Sequence, residues 1–274
     1  ESQTYPVNKI IIMNTEEKYW NTFLYGEKLL KVWDNVEVHH LSKMEFDHGG
    51  TRKQAVKRSK ADFFICMTDD AMPKDERLVE RLLAPLLRDE ADFAYARQLP
   101  NEDCGIIEKY TRSFNYPKES KIKTIADLET LGIKTYFFSN VCAAYSREAY
   151  EKTGGFEKLA IFNEDMVFAA NAMKKGYRIA YVADAKVYHS HNYTAGMQFH
   201  RNFDLGVSQA EHPEIFANLP SEGEGKKLVR MTCAYLNKKK KAHLIPKLIW
   251  HSAAKYAGYF LGKRYRKLPM RFVM

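Results

Sequence analysis

The apolar run Phe63-Phe-Ile-Cys-Met67 stops at Thr68 and two adjacent carboxylates, Asp69 and Asp70, with Pro73 just beyond. No other stretch constrains the fold as much. A short apolar run bounded by turn residues reads as a buried strand. Open α/β sheets bind ligands in the crevice at the carboxyl ends of their strands, so acidic side chains at such a tip point to a metal or phosphate site. An ordinary Asp-rich turn after a strand accounts for these residues equally well.

Around this run, strand-like and helix-like stretches alternate. Val7–Met13 is apolar and β-branched, and reads as a strand. Asn14 and Thr15 open a helix-like stretch to about Val32, and Val36–Leu41 is a second strand. Phe46-Asp-His-Gly-Gly-Thr-Arg52 leads into a helix to about Ser59. Glu76–Leu87 reads as a helix and Ala91–Tyr95 as a strand. This alternation predicts an α/β fold with a mostly parallel sheet. Residues 97–135 are polar and read as a long irregular excursion over the functional edge. Thr135–Tyr145 follows as a strand and Glu148–Thr153 as a short helix broken at Gly154-Gly155. A helix over Met166–Lys175 ends at Gly176, and Arg178–Val182 is the last strand.

Several positions along this path carry chemistry. Gly49 and Gly50 allow a close backbone approach at a helix start, where free N–H groups hold an anion; a plain helix cap is as good a reading. Glu164 and Asp165 lie where a helix begins, and the helix dipole alone favours carboxylates there. His189 and His191, two apart on an extended segment, point to the same side and with distant carboxylates would complete a metal site. Gln198 and Arg201 fall one turn apart on a helix.

Four cysteines without a CxxC pair exclude a zinc ribbon and a disulfide framework and point to a reducing compartment. No signal peptide is evident, and no apolar run has the length of a membrane span. The net charge of +9 is unevenly spread. Residues 226–274 hold 14 Lys or Arg and no Asp or Glu, leaving residues 1–225 mildly acidic. The chain therefore divides into a body, 1–225, and a basic tail, 226–274. Such a tail favours an anionic membrane or nucleic acid; the acidic body and the lack of a recognised motif argue against nucleic acid. Within the tail Leu244, Ile245, Leu248, Ile249, Ala253, Tyr256 and Phe260 recur at helical spacing, with Lys247, His251 and Lys255 along a polar stripe. That is the pattern of an interfacial helix on an anionic membrane, with Trp250 at the headgroup boundary. A helix packed on the body with a solvated Lys face has the same pattern. Gly258-x-x-x-Gly262 permits close helix contact.

In order and spacing, the strand ending at Asp69-Asp70, Gly154-Gly155-Phe156 with Glu164-Asp165, and the strand ending at His189 resemble glycosyltransferase family 2 over most of residues 5–210. Phe46–Arg52, Arg97-Gln-Leu-Pro100, Phe114-Asn-Tyr-Pro117, Phe138-Ser-Asn-Val141, His189–Thr194, Gln198–Gly206 and Lys255–Lys267 are similar to its bacterial rhamnosyltransferases. The resemblance implies the nucleotide-diphospho-sugar transferase (GT-A) fold: α/β, a mostly parallel central sheet with flanking helices, here with a basic C-terminal helical tail. It implies a metal-dependent, inverting transfer of a sugar to a hydroxyl of a lipid-linked cell-surface polysaccharide precursor at the cytoplasmic face of the membrane. The implied donor is dTDP-L-rhamnose. Asp165 would be the general base, with Glu164 orienting it or binding the acceptor. Asp70, supported by Asp69, and His189 or His191 would hold Mg²⁺ or Mn²⁺. Arg52 with Gly49 and Gly50, Asp69, and Arg201 would contact the donor, and Arg97 and Asn140 would line the sugar or acceptor pocket. Gln198-x-x-Arg201 matches part of the Gln-x-x-Arg-Trp signature of processive members, with Asn202 in place of Trp. Members usually open with a further strand–loop–helix unit that helps hold the base; Gln3-Thr-Tyr-Pro6 resembles the segment after it, so that first βα unit is expected to be missing here. The alternatives are a UDP-hexose donor or, in another class, a non-catalytic module binding membrane or nucleic acid through the tail.

Overall fold

The computed structural model describes residues 2–23, 30–219 and 222–269. Strand β1 (Ile10–Thr15) pairs in parallel with β2 (Val36–Leu41) as a separate two-stranded sheet, with α1 (Glu17–Thr22) between them in the chain. Helix α2 (His48–Lys57) then leads to β3 (Phe63–Met67), the two-residue β4 (Met72–Pro73) and α3 (Leu78–Leu87). β5 (Phe93–Leu99), α4 (Ile106–Asn115), β6 (Lys121–Lys123), β7 (Cys142–Ser146) and α5 (Arg147–Thr153) follow. α6 (Glu164–Lys174), β8 (Ile179–Tyr188), α7 (Ala195–Glu211), α8 (Glu222–Lys238) and α9 (Ile245–Gly262) complete the path.

The central sheet has six strands in the order β3-β7-β5-β8-β4, with β6 also on β8. Only β5 and β8 run parallel in it; β3–β7, β5–β7, β4–β8 and β6–β8 are antiparallel. The α/β class holds, but this sheet is mixed where the alternation predicts mostly parallel pairing. Strand–helix alternation yields parallel neighbours only when each crossover returns to the same end of the sheet. The long connection between β5 and β7 instead lets β7 enter from the opposite end.

Alternation along β5 sorts the two cores. Phe93 and Tyr95 face an aromatic layer with Tyr145, Phe156 and Phe168, all buried. Ala94 and Ala96 face the other side with Ala144, Ala180 and Ala185, and these small residues receive Leu78, Leu82, Leu83 and Leu86 of α3. Burying one such leucine contributes about 1.5–3 kcal/mol, so α3 is held chiefly by its apolar stripe.

The strands over 36–41 and 63–67 have the expected bounds. The first strand begins at Ile10 and α1 ends at Thr22; part of the expected helix to Val32 lies outside the described residues. Residues 97–135 are more regular than their polarity predicts, because α4 forms there as an amphipathic helix with a half-buried face. The strand expected from Thr135 starts at Cys142, since Gly132–Tyr136 forms a 3₁₀ turn and Phe137–Val141 a loop.

The tail folds back onto the body. A Cβ on Gly258 would lie 2.2 Å from Phe199 O, and one on Gly262 2.1 Å from Phe203 O, so α9 crosses α7 nearly backbone to backbone. On the α7 side, Gly206 leaves a Cβ only 2.5 Å from Tyr259 O. Tyr259 Oη donates to Gln209 at 2.7 Å, and Tyr235 of α8 stacks on Tyr110 of α4 at 4.4 Å. Among the described residues no helix is long and apolar enough to cross a membrane.

Candidate active site

Two polar clusters form near the C-terminal tips of β3 and β8. The first starts from the turn after β3. Thr68 N–H donates to Val141 O at 3.2 Å, and Ala71 N–H closes the turn on Thr68 O at 3.2 Å. β4 then pairs Met72 with Tyr188 and Pro73 with Val187, which draws the Asp69-Asp70 turn beside the end of β8. His189 continues the β5–β8 ladder, its N–H donating to Leu99 O at 2.9 Å. His189 Nε2 and His191 Nε2 lie 3.4 and 3.1 Å from the Asp70 carboxylate and 3.2 Å from each other. One ligand atom from each of the three residues lies within 4.8 Å of the others. Burial pushes the His189 imidazole down to about 4, so it is neutral near pH 7 and has a lone pair to offer. One carboxylate and two imidazoles are a donor set that Mn²⁺ accepts. Asp69 is exposed and stands outside this cluster.

A column of rings continues from the cluster. His191 stacks on Tyr193 at 4.8 Å, and the Arg201 guanidinium lies 4.8 Å from the Tyr193 ring centre and 5.2 Å from that of Phe162. Arg201 forms no salt bridge with a described residue, so its charge is available to an anion.

The second cluster is built on the start of α6. Asn163 takes a left-handed conformation, φ 67°, which turns the chain sharply into the helix. Glu164 is 6% exposed. Its Oε1 accepts Arg52 Nη1–H at 2.5 Å and Asn140 Nδ2–H at 3.2 Å. Asp165 accepts Asn140 N–H at 3.2 Å and Met166 N–H at 2.8 Å. Tyr145 Oη holds the other end of the Asn140 amide. Burial, and then the neighbouring Glu164 charge, raise Asp165 to about 7. Such a carboxyl exchanges its proton near neutral pH, as a general base must. His48, at the start of α2, has its imidazole pushed down by burial.

The structure thus joins Arg52, Asn140, Glu164 and Asp165 in one cluster and Asp70, His189 and His191 in another. Of the two readings of the glycines, anion cradle and helix cap, the geometry of Gly50 fits the second. Gly50 N–H donates to the Asp47 side chain at 2.7 Å, and a Cβ there would lie 2.1 Å from that carboxylate. A Cβ on Gly49 would lie 1.8 Å from Glu157 O. Asp47 caps α2 through Gly50, and Gly49 admits the loop leading to α6, so the Gly50 N–H is not free for a phosphate. Arg97 makes no hydrogen bond in either cluster, and its Nε is buried without a partner among the described residues. Sequence reasoning passed over Gln98, Arg112 and Ser139, which are linked to His189 by hydrogen bonds. Gln98 and Ser139 do lie in the Arg97–Pro100 and Phe138–Val141 segments that resemble the family, but nothing in those segments gives either residue a role.

The sequence pattern of glycosyl transferase family 2 matches residues 2–154, more than half of the chain. The chain belongs to glycosyltransferase family 2. It is 39% identical over 232 residues to the O-antigen chain rhamnosyltransferase WbaN of Salmonella anatum, covering 84% of this chain and 73% of that protein. It is 36% identical over 272 residues to RfbN of Salmonella typhimurium, also an O-antigen chain rhamnosyltransferase, covering 98% and 85%. The fold is similar to that of the mannosyltransferase PcManGT from Pyrobaculum calidifontis, solved with GDP-Man and Mn²⁺, with a TM-score of 0.58 at 13% identity over 95% of this chain and 80% of that one. It is also similar to residues 1–349 of S. aureus TarS, with a TM-score of 0.51 at 14% identity over 97% and 85%. These two likenesses concern the GT-A architecture alone. As a family 2 glycosyltransferase the protein is an enzyme.

Proposed function

We propose that this glycosyltransferase moves L-rhamnose from dTDP-L-rhamnose to a hydroxyl of a lipid-linked O-antigen precursor, in one inverting, metal-dependent step. The donor and acceptor classes are supported by the two rhamnosyltransferase relatives. The observation that carries the reaction class is Asp165, a half-buried carboxyl fixed by two backbone N–H groups, whose affinity for its proton is raised by desolvation and then by Glu164.

In this reading the acceptor hydroxyl gives its proton to Asp165 as its oxygen bonds to the anomeric carbon. The bond from that carbon to the diphosphate breaks at the same time, and the nucleoside diphosphate leaves from the opposite face. No covalent sugar–enzyme bond is needed, so the configuration inverts. Arg52 neutralises Glu164 and keeps it a fixed orienting group rather than a second base. Asn140 bridges the two carboxylates and ties their geometry to the loop before β7. Arg201 donates to the diphosphate as a charge-assisted partner, with Asp69 at the rim of the same crevice. Arg97 is assigned to the sugar or acceptor pocket by the family resemblance alone. Asp70, His189 and His191 would hold Mg²⁺ or Mn²⁺, whose charge offsets that gathering on the leaving diphosphate.

Attachment to the cytoplasmic leaflet belongs to the same proposal. Ile249, Trp250, Tyr256 and Phe260 of α9 are exposed, and Lys247, Lys263, Arg264 and Lys267 flank them. An apolar stripe with basic flanks suits an anionic membrane carrying a lipid-linked acceptor.

The test is turnover of nucleotide sugars by the protein with Mn²⁺, before and after chelation. Preferential release of dTDP from dTDP-rhamnose, lost with EDTA and restored by Mn²⁺, is the expected result. Preferential turnover of a UDP-hexose would remove the rhamnose assignment, and activity unchanged by EDTA would remove the metal.

A further inference from the structure

Gln98 lies one residue before the end of β5 and is 3% exposed. Its side chain meets three groups. Arg112 Nη1–H donates to Oε1, Nε2 donates to Ser139 Oγ at 3.0 Å, and Oε1 lies 2.9 Å from His189 Nδ1. A guanidinium has only hydrogens to give, so the amide end facing Arg112 is the oxygen. The same oxygen faces His189. An amide oxygen only accepts, so Nδ1 must carry the imidazole hydrogen and Nε2 keeps its lone pair. That Nε2 lies 3.4 Å from Asp70 Oδ1 and 3.2 Å from His191 Nε2.

The strand register explains how Gln98 and His189 come to share a face. Ala96 pairs with Val182, but the next residue, Arg97, pairs with Lys186. β8 therefore takes up residues 183–185 as an irregularity. An odd-numbered slip exchanges the two faces of a strand. Before it, Ala180 and Val182 share the side of Ala94 and Ala96; after it, Val187 shares the side of Gln98. His189, two residues on, projects from that side too. Bulges of this kind commonly re-aim side chains beside active sites.

We propose that Gln98 is a positioning residue that locks His189 in the Nδ1–H tautomer and aims its Nε2 lone pair at a divalent cation shared with Asp70 and His191. This rests on the metal reading of that cluster. A metal-bound histidine as a rule gives its other ring hydrogen to a fixed acceptor, and losing that acceptor lowers metal affinity by about 10–100-fold. Arg112 acts on the same arrangement from behind, because it prevents the amide from flipping.

Two measurements test this. In ¹⁵N-histidine-labelled, metal-free protein, long-range ¹H–¹⁵N spectra report the tautomer of each imidazole. His189 is expected as Nδ1–H in the wild type and as largely Nε2–H in Gln98→Leu. In Mn²⁺ titrations followed by electron paramagnetic resonance, Gln98→Leu is expected to bind about 10–100-fold more weakly than wild type. Gln98→Glu, whose carboxylate still accepts from Nδ1–H and pairs with Arg112, is expected to stay within a few-fold of wild type. Equal Mn²⁺ affinity in wild type and Gln98→Leu, or an Nε2–H wild-type tautomer, overturns the role of Gln98 and leaves the metal reading standing. Equal loss in Gln98→Glu and Gln98→Leu also overturns it, because fixing the tautomer would then not be what matters. A wild-type protein that binds no Mn²⁺ overturns the metal reading itself.

Discussion

A carboxyl buried beside another carboxylate keeps its proton to a higher pH than it would in water. Asp165, half-buried beside Glu164, is desolvated in this way, and the consequences for rate and stability have opposite signs. As the base it must be ionised, so kcat/KM should fall as pH drops through about 7. Its folded value lies above the ordinary 3.8, so its contribution to stability is complete below about 4 and is lost as pH rises to about 7. Asp165→Asn should therefore lower transfer by at least about 10²-fold while donor binding persists. The thermal stability of that variant relative to wild type should also increase from pH 4 to pH 7. Melting curves across that range, with binding isotherms for the donor, check both halves; full activity in the variant would remove Asp165 as base. The Arg52–Glu164 pair behaves differently because each partner satisfies the other in a largely buried place. Arg52→Met leaves Glu164 uncompensated and should cost about 3–5 kcal/mol in a denaturant titration.

At the scale of elements, the informative contact is the crossing of α7 and α9. Gly206, Gly258 and Gly262 bring the two backbones so close that a single Cβ would meet a carbonyl oxygen. Gly262→Leu should force the helices apart. Its expected cost is about 1–3 kcal/mol of overpacking, with faster proteolysis of the tail after Lys238. A variant with unchanged denaturation and unchanged cleavage would show that the crossing is not closely packed in solution. The tail helix packs on the body along its glycine edge and leaves Trp250 and Phe260 exposed on another, so the two readings open for it belong to different edges. The helical spacing of the apolar residues alone could not separate packing from membrane contact, since both faces carry apolar side chains.

For the whole molecule, the mildly acidic body and basic tail remain one folded unit, and the exposed side of α9 sets how that unit would meet a membrane. Trp250→Ala combined with Phe260→Ala should reduce sedimentation with vesicles containing anionic lipid by several-fold, with little change on neutral vesicles or in the far-ultraviolet spectrum. Equal sedimentation would assign that face to something other than lipid. The double substitution leaves the glycine edge untouched, so loss of vesicle binding would not reflect loss of the tail's packing.

What could be read before folding was local. The strand at Phe63–Met67, the strand at Val36–Leu41, the carboxylates at the start of α6 and the shared side of His189 and His191 all follow from periodicity and end effects within a few consecutive residues. The resemblance to glycosyltransferase family 2 singled out further acidic and basic positions. The partners of those positions were not legible. Asp70 reaches the histidines because two residues of β4 pair with the end of β8. Glu164 reaches Arg52 because glycine at 49 lets the loop before α6 approach α2. Gln98 reaches His189 because an odd slip in register turns the end of β8 over. Each of these depends on which strand edge or backbone a distant segment meets. Sequence periodicity sets the side on which a residue projects along its own element; only the pairing of elements decides what it will face.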